Sequence, residues 1–397
     1  MNQLYARKIK AEFEQALLRH KSVLLLGPRQ VGKTTFLKSI NWDINISLLL
    51  KKYRFKYENN PDILIQEIEA HPKFKKGLRV LIDEVQLVPE LLNTSQYIID
   101  NEMAQMVLTG SSARKLRKHI NINLLPGRLV LIRMDALSLT EHQNTDIESL
   151  LLFGELPGII SLPSTKEKNI DLESYVMTYL EEEIRKEAVT KNIPAFYRFL
   201  ELAAIESGKI ISFRQIGSQS EVTHNTISAY YEILEDSLII NRIDPYTLNT
   251  TRKKITKSSK YLFFDLGVRR VAAREGVKLG RTRMGELFEH YVGNELIRLL
   301  NFHHFRNSLS FWRDADGPEV DWLIQTPQLL IPIEVKYKSK IEKSDCKHLE
   351  LFLTEYAGYA KQAFVVCLCD LPYKINDRIT AIPWQRLELV LKDLLTQ

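Results

Sequence analysis

The stretch Ser22 to Thr34, SVLLLGPRQVGKT, decides the fold of the N-terminal third of this 397-residue chain. Four consecutive apolar residues, Val23 to Leu26, run straight into glycine, which is the pattern of a short strand buried on both faces of a parallel sheet. Gly27, Pro28, Arg29, Gln30, Val31, Gly32, Lys33 and Thr34 then have the spacing GxxxxGK followed by Ser or Thr, and TTFLKSI continues as a helix. That order of strand, glycine turn and helix wraps a triphosphate. Backbone N–H groups and the helix N-terminus face the phosphates, Lys33 reaches the β and γ oxygens, and the Thr34 hydroxyl binds Mg²⁺. Thr35, the next helical residue, completes the nucleotide-binding set.

Three further apolar runs follow at 79–85 (RVLIDEV), 104–110 (AQMVLTG) and 128–134 (RLVLIRM), separated by helical or polar stretches, so residues 1–135 read as a doubly wound α/β nucleotide fold. VLIDEV brings Asp83 and Glu84 to the C-terminal edge of its strand, where such sheets bind ligands; Asp83 is placed to hold Mg²⁺ and Glu84 to orient and deprotonate the attacking water. Thr109, Ser111 and Ser112 end the next strand, where they either contact the γ-phosphate and position water or merely cap a helix. Arg128 is either an arginine finger reaching the phosphate of a neighbouring subunit in a homo-oligomer, or one half of a surface ion pair.

Composition bounds the rest. With 45% hydrophobic and 26% charged residues, the chain is globular, and its length predicts two to four domains. Its apolar runs are far too short to span a bilayer, its N-terminal twenty residues lack a secretory signal, and its three cysteines (Cys346, Cys367, Cys369) suit core packing in a reducing interior, so a cytoplasmic location is expected. Neither Cys367 with Cys369 nor His303 with His304 has a partner pair at zinc-like spacing.

The net charge of +6 is unevenly spread: residues 246–283 hold eleven basic side chains against Asp265 and Glu275, leaving the remainder of the chain acidic. These are Arg252, Lys253, Lys254, Lys257, Lys260, Arg269, Arg270, Arg274, Lys278, Arg281 and Arg283. Such a stretch is either a face for DNA or a solvated surface with acidic neighbours in space. Just upstream, after a helical connector at 136–193, residues 194–260 read as helix, helix, helix, strand and basic hairpin, with Ser212 and Thr223 as N-caps. That is a winged-helix pattern, although any three-helix packing unit has the same helical periodicity.

Residues 261–397 read as a small α/β domain. Asp321 lies in the strand EVDWLI, and Glu334 and Lys336, two apart in PIEVK, project from one strand face. The helix GELFEHYVGNEL offers Glu286, Glu289 and Glu295, of which Glu289 is best placed to face the sheet. Glu289, Asp321 and Glu334 would make a Mg²⁺ site with Lys336 acting on water or on a phosphodiester; the alternative is a half-buried strand with solvated charges.

Taken in order, GPRQVGKTTFL, VLIDEVQLVPELL, VLTGSSARKL and GRLVLIRMDALSLTE resemble a family of bacterial and archaeal AAA-type ATPases whose members carry a C-terminal domain of unknown function similar to PD-(D/E)XK nucleases. GELFEHYVGNEL, GPEVDWLI and PIEVK extend the resemblance to nearly the whole chain, with Val320 in place of the signature proline before Asp321. The resemblance implies ATP and Mg²⁺ at Lys33, Thr34, Asp83 and Glu84, and a nuclease-type site at Glu289, Asp321, Glu334 and Lys336. The expected function is Mg²⁺-dependent ATP hydrolysis coupled to an action on DNA, with cleavage as a further expectation. The alternative is a nucleotide-controlled switch whose C-terminal domain only docks protein or DNA.

Overall fold

The apolar runs around the phosphate-loop motif assemble into one parallel sheet. A computed structural model describes residues 4–112, 129–180, 193–247, 258–305, 308–314 and 317–395. The chain divides into two compact units: Met1–Leu137 with Leu156–Gly158 and Glu232–Ile239, and the remainder. The residues expected to form a connector, a helical unit and a C-terminal domain therefore fall, with those two exceptions, in one unit.

In the first unit the elements run α1 (Ile9–Leu18), β1 (Ser22–Leu26), α2 (Lys33–Lys38), β2 (Ile44–Ser47), α3 (Lys51–Asn59), α4 (Ile63–Glu69), β3 (Arg79–Asp83), α5 (Leu91–Asp100), β4 (Gln105–Gly110) and β5 (Leu129–Arg133). The sheet order is β2-β3-β4-β1-β5, with every neighbouring pair parallel. The strand bearing Asp83 is thus one strand removed from the strand feeding the phosphate loop, and β4, with Thr109, lies between them. β1, β3 and β4 are nearly continuous in buried residues, as expected of strands covered on both faces. The short strand β2 has no expectation in the sequence reading: it is four residues long, lies at the sheet edge and buries only Ile46 fully. α1 buries Ile9, Phe13, Ala16 and Leu17, a helical stripe, and Phe13 meets Phe36 of α2 edge to face at 5.1 Å.

In the second unit, α6 (Ile147–Phe153) and α7 (Thr165–Ser174) start at the side-chain caps Asp146 and Ser164. α8 (Ile193–Ile205), α9 (Phe213–Ser220) and α10 (His224–Asp236, of which Glu232 onward is counted with the first unit) are followed by an antiparallel pair, β6 (Ile240–Ile243) and β7 (Lys260–Phe263). Ser212 and Thr223 act as the caps the sequence implies, accepting from Gln215 and Thr226 N–H. Phe196, Phe199, Phe213, Tyr230, Tyr231 and Tyr261 pack as one aromatic cluster, with Tyr231 and Tyr261 centroids 4.3 Å apart. The expected wing, including Arg252, Lys253, Lys254 and Lys257, lies outside the described residues.

Then come α11 (Leu266–Ala272), α12 (Arg281–Phe302), β8 (Leu309–Arg313), β9 (Glu319–Gln325), β10 (Leu330–Lys336), α13 (Lys347–Glu355), β11 (Ala363–Cys367), β12 (Tyr373–Lys374), β13 (Ile379–Pro383) and α14 (Leu387–Leu395). The mixed sheet has order β12-β13-β11-β10-β9-β8. β11 alternates strictly: Phe364 and Val366 join the core with Leu287, Phe288 and Tyr291 of α12, while Ala363, Val365 and Cys367 join the core with Leu349, Phe352 and Leu353 of α13. At Gly293 of α12 a Cβ would stand 2.7 Å from the Trp322 ring, so glycine is what lets helix and sheet approach this closely. Cys346, Cys367 and Cys369 are all free and buried.

Candidate nucleotide site and C-terminal carboxylate cluster

The phosphate loop is built by backbone geometry that few residues tolerate. Gly32 caps α2 at φ 99°, and a Cβ on Gly27 would lie 2.1 Å from the Met134 carbonyl oxygen. Arg7 braces the loop from outside, donating to the Val31 carbonyl at 2.6 Å and to that of Asp135 at 2.7 Å. Lys33 is buried, and its ammonium donates to the carbonyls of Gly27 and Pro28 at 2.7 and 2.8 Å, which keeps it folded over the loop it serves. Pro28, Arg29, Gln30, Val31 and Thr35 complete the turn and the helix start, with Gln30 at φ 61°.

Three side chains and one backbone N–H then link into a chain. Thr34 Oγ1 donates to Asp83 Oδ2 at 3.1 Å, Thr109 Oγ1 donates to Asp83 Oδ1 at 2.6 Å, and Thr109 Oγ1 accepts the Glu84 N–H at 2.9 Å. Glu84 is held in the left-handed region, φ 62° and ψ 46°, which a non-glycine residue adopts only under constraint. Its Oε2 accepts from Ser111 Oγ at 3.1 Å and from Gln86 Nε2, and Gln86 Nε2 also donates to Ser111 Oγ at 3.0 Å. Thr109 and Ser111 therefore bond to Asp83 and Glu84, a role that neither of their sequence expectations named. Gln86 has no signal in sequence beyond its place two residues after Glu84. A hydroxyl and a carboxylate side by side beneath a glycine loop are hard oxygen donors, so Thr34 and Asp83 fit Mg²⁺. Arg128 lies outside the described residues.

Among its described residues, the basic stretch at 246–283 is partly turned inward and partly paired with acidic neighbours, the second of its two sequence readings. Lys260, Arg269 and Arg270 are buried. Arg269 donates to the Ala204 carbonyl at 2.6 Å and pairs with Glu275; Arg270 donates to the Leu152 carbonyl at 2.6 Å and to Asn169. Arg283 pairs with Glu275 and Glu286, and Arg274 with Glu201. These charges tie helices together because guanidinium groups can satisfy several carbonyl ends at once. Lys278 and Arg281 remain exposed.

In the C-terminal sheet, Asp321 on β9 does lie beside Glu334 on β10: its Oδ2 accepts the Val335 N–H at 2.8 Å. Lys336 Nζ lies 2.6 Å from Glu334 Oε1, as expected of residues two apart on a strand. Burial, foremost, together with Glu334 pushes the Asp321 carboxyl up to about 7, and burial likewise raises Glu289 to about 7. Among the described residues no three His, Cys, Asp or Glu side chains gather as metal ligands. Lys260 of β7 instead lies 3.1 Å from Glu289 Oε1 and 2.7 Å from Glu319 Oε1. Nothing in sequence marks Lys260 or Glu319 as members of this site. Glu286 pairs with Arg283, and Glu295 belongs to a separate buried group with Arg298, which also binds Glu155, itself 3.0 Å from His142.

Residues 19–143 match the family described as AAA domain, 144–278 a domain of unknown function (DUF8612), and 284–387 another (DUF4143). An uncharacterized protein of Mycobacterium tuberculosis is 24% identical over 95% of this chain and 83% of its own length, and one of Methanocaldococcus jannaschii is 22% identical over 91% and 83%. Among solved structures, a signal transduction ATPase with a tetratricopeptide repeat sensor from Pyrococcus horikoshii is 14% identical, covering 76% of this chain and 47% of its own, at TM-score 0.25. A DNA polymerase III gamma subunit-related protein from Thermotoga maritima is 10% identical over 57% and 98%, at TM-score 0.24; likenesses at this level carry no argument. No helix among the described residues is long and apolar enough to cross a membrane. The AAA domain at 19–143, joined to the domain at 284–387, supports an AAA-type ATPase family for the chain.

Proposed function

We propose that this protein hydrolyses ATP with Mg²⁺ at the Gly27–Thr34 loop and uses its nucleotide state to act on DNA through α9 and α10. The observation that carries the ATPase reading is the hydrogen-bonded chain Thr34–Asp83–Thr109–Glu84. Thr34 and Asp83 would hold Mg²⁺, which would supply charge neutralisation to the β- and γ-phosphates. Lys33 turns from the Gly27 and Pro28 carbonyls to the phosphate oxygens. Glu84, with Oε2 fixed by Gln86 and Ser111, has its other oxygen left to take a proton from the attacking water.

The DNA part is supported by a winged-helix order of elements, α8–α9–α10–β6–β7, and by the exposed residues Arg214, Gln215, Ser218, Gln219, His224 and Asn225, polar groups of the kind that read base edges. Arg252, Lys253, Lys254 and Lys257 follow β6 in sequence and supply charge for phosphates. The two bonds on Glu84 Oε2 favour a slow hydrolase whose ATP-bound state is itself the signal. Steady-state phosphate release and DNA-binding anisotropy across a salt series test the proposal. Duplex DNA should raise turnover, or ATP should alter DNA affinity, and neutralising the four basic residues should flatten the salt slope by about 0.9 per lost phosphate contact. Turnover indifferent to DNA, with no DNA binding at low salt in any nucleotide state, refutes the DNA part and leaves the ATPase standing.

A further inference from the structure

The resemblance to metal-dependent nucleases makes ligands of Glu289, Asp321 and Glu334, but Lys260 occupies their neighbourhood with a charge of its own. Its ammonium is 2.7 Å from Glu319 Oε1 and 3.1 Å from Glu289 Oε1, and lies 5.1 Å from the ring centroids of both Phe311 and Trp322. Lys260 is only 2% exposed and sits on a strand paired to Ile243 and bridged to Ile210, so it is fixed in place. A second ammonium, Lys336, holds Glu334 Oε1 at 2.6 Å, and Asp321 Oδ2 is taken by the Val335 N–H. Glu334 Oε2 is buried without a hydrogen-bond partner, but that is a single ligand.

We propose that Lys260 is the built-in cation of this cluster, standing where a divalent ion would stand, so that the C-terminal domain is a metal-independent binding module and not a nuclease. Mg²⁺ requires several oxygens at about 2.0–2.1 Å in near-octahedral array. Glu289 would have to leave its ammonium partner, stripping a buried lysine of one of its two carboxylates, and the ion would then sit beside that same positive charge in a poorly screened interior. Both costs oppose metal entry. A lysine delivered by β7, from the strand pair that ends the helical block, also explains why carboxylates can be kept here without a metal. The inference goes beyond the ATP and DNA reading and stands or falls separately from it.

The test is a Mn²⁺ titration of the full chain, followed by the electron paramagnetic resonance of free Mn²⁺, without nucleotide and in a Thr34→Ala, Asp83→Asn background that removes the ATP-site ligands. The parent is expected to bind no Mn²⁺ tighter than the millimolar range. Lys260→Met should acquire one Mn²⁺ at least about tenfold tighter than the parent, Lys260→Arg should not, and adding Asp321→Asn to Lys260→Met should abolish the gain. A parent that binds Mn²⁺ tightly and loses it on Asp321→Asn overturns the proposal, as does a folded Lys260→Met chain that gains no site. If Lys260→Met fails to fold, the parent titration with and without Asp321→Asn decides alone.

Discussion

Replacing Thr109 with valine keeps the side-chain shape and deletes one hydroxyl on which two groups of the nucleotide site depend. Thr109 is fully buried, so no water replaces what is lost. Asp83 Oδ1 loses a 2.6 Å donor, a hydrogen bond to a charged group worth about 1.5–3 kcal/mol, and the Glu84 N–H loses its 2.9 Å acceptor, at about 1–3 kcal/mol for a buried unpaired donor. The two losses share one atom and are not fully additive, so the net effect expected is about 2–4 kcal/mol. At about 2–4 °C per kcal/mol for a domain of this size, the first unit should melt about 5–15 °C lower. Glu84, whose left-handed backbone the Thr109 hydroxyl holds, should also lose its aim, lowering ATP turnover at least about tenfold, or 1.4 kcal/mol in barrier. Thr109→Ser keeps the hydroxyl and should stay within about 1 kcal/mol of the parent. Differential scanning calorimetry and steady-state phosphate release measure both effects. A Thr109→Val chain that melts and turns over like the parent refutes the proposed linkage between Asp83 and Glu84.

Gly27→Ala should fold yet bind ATP at least about tenfold more weakly, because its Cβ cannot stand 2.1 Å from the Met134 carbonyl oxygen without moving the loop; fluorescent-nucleotide titration checks it. Lys33→Ala should abolish turnover and most ATP affinity in the same assay, since its ammonium both closes the loop and reaches phosphate. In the second unit, Asp321 and Glu289 at about 7 and Asp265 at about 6 all lie above their unfolded values, with burial the leading cause. The folded state then holds protons that the unfolded chain has released between about pH 4 and 7, so stability falls as pH rises through that range. Glu155, which Arg298 and His142 hold below the usual range against the cost of burial, works in the opposite sense only in stronger acid. The thermal transition of this unit should be higher near pH 6 than near pH 8, and Asp321→Asn should flatten the slope; a transition that rises with pH contradicts the assignment.

What could be read in the sequence was local. Residues 22–34 and 79–84 announce their strands and the turns that follow because every residue needed lies within one strand and the turn after it. The link from Thr34 to Asp83 to Thr109 joins residues up to 75 positions apart, and its existence follows from β4 lying between β1 and β3, an order that apolar periodicity leaves open. The charge count at 246–283 leaves its two readings open for the opposite reason. Arg269, Arg270 and Lys260 sit in chain segments that pack inward, and a formal charge in sequence carries no record of whether it meets solvent or a buried carbonyl. Asp321, Glu334 and Lys336 are legible from strand period alone, whereas Lys260 reaches Glu289 and Glu319 only through the placement of β7.

The most direct test of the central claim is ATP turnover by Glu84→Gln, measured as steady-state phosphate release beside ATP affinity by equilibrium titration. Glutamine keeps the side-chain length and can still engage Ser111 and Gln86, but it cannot take a proton from water. ATP affinity should stay within a few-fold of the parent and turnover should fall at least about 100-fold, or about 2.7 kcal/mol in barrier. Turnover equal to the parent, at unchanged affinity, would contradict this and remove Glu84 from the chemistry.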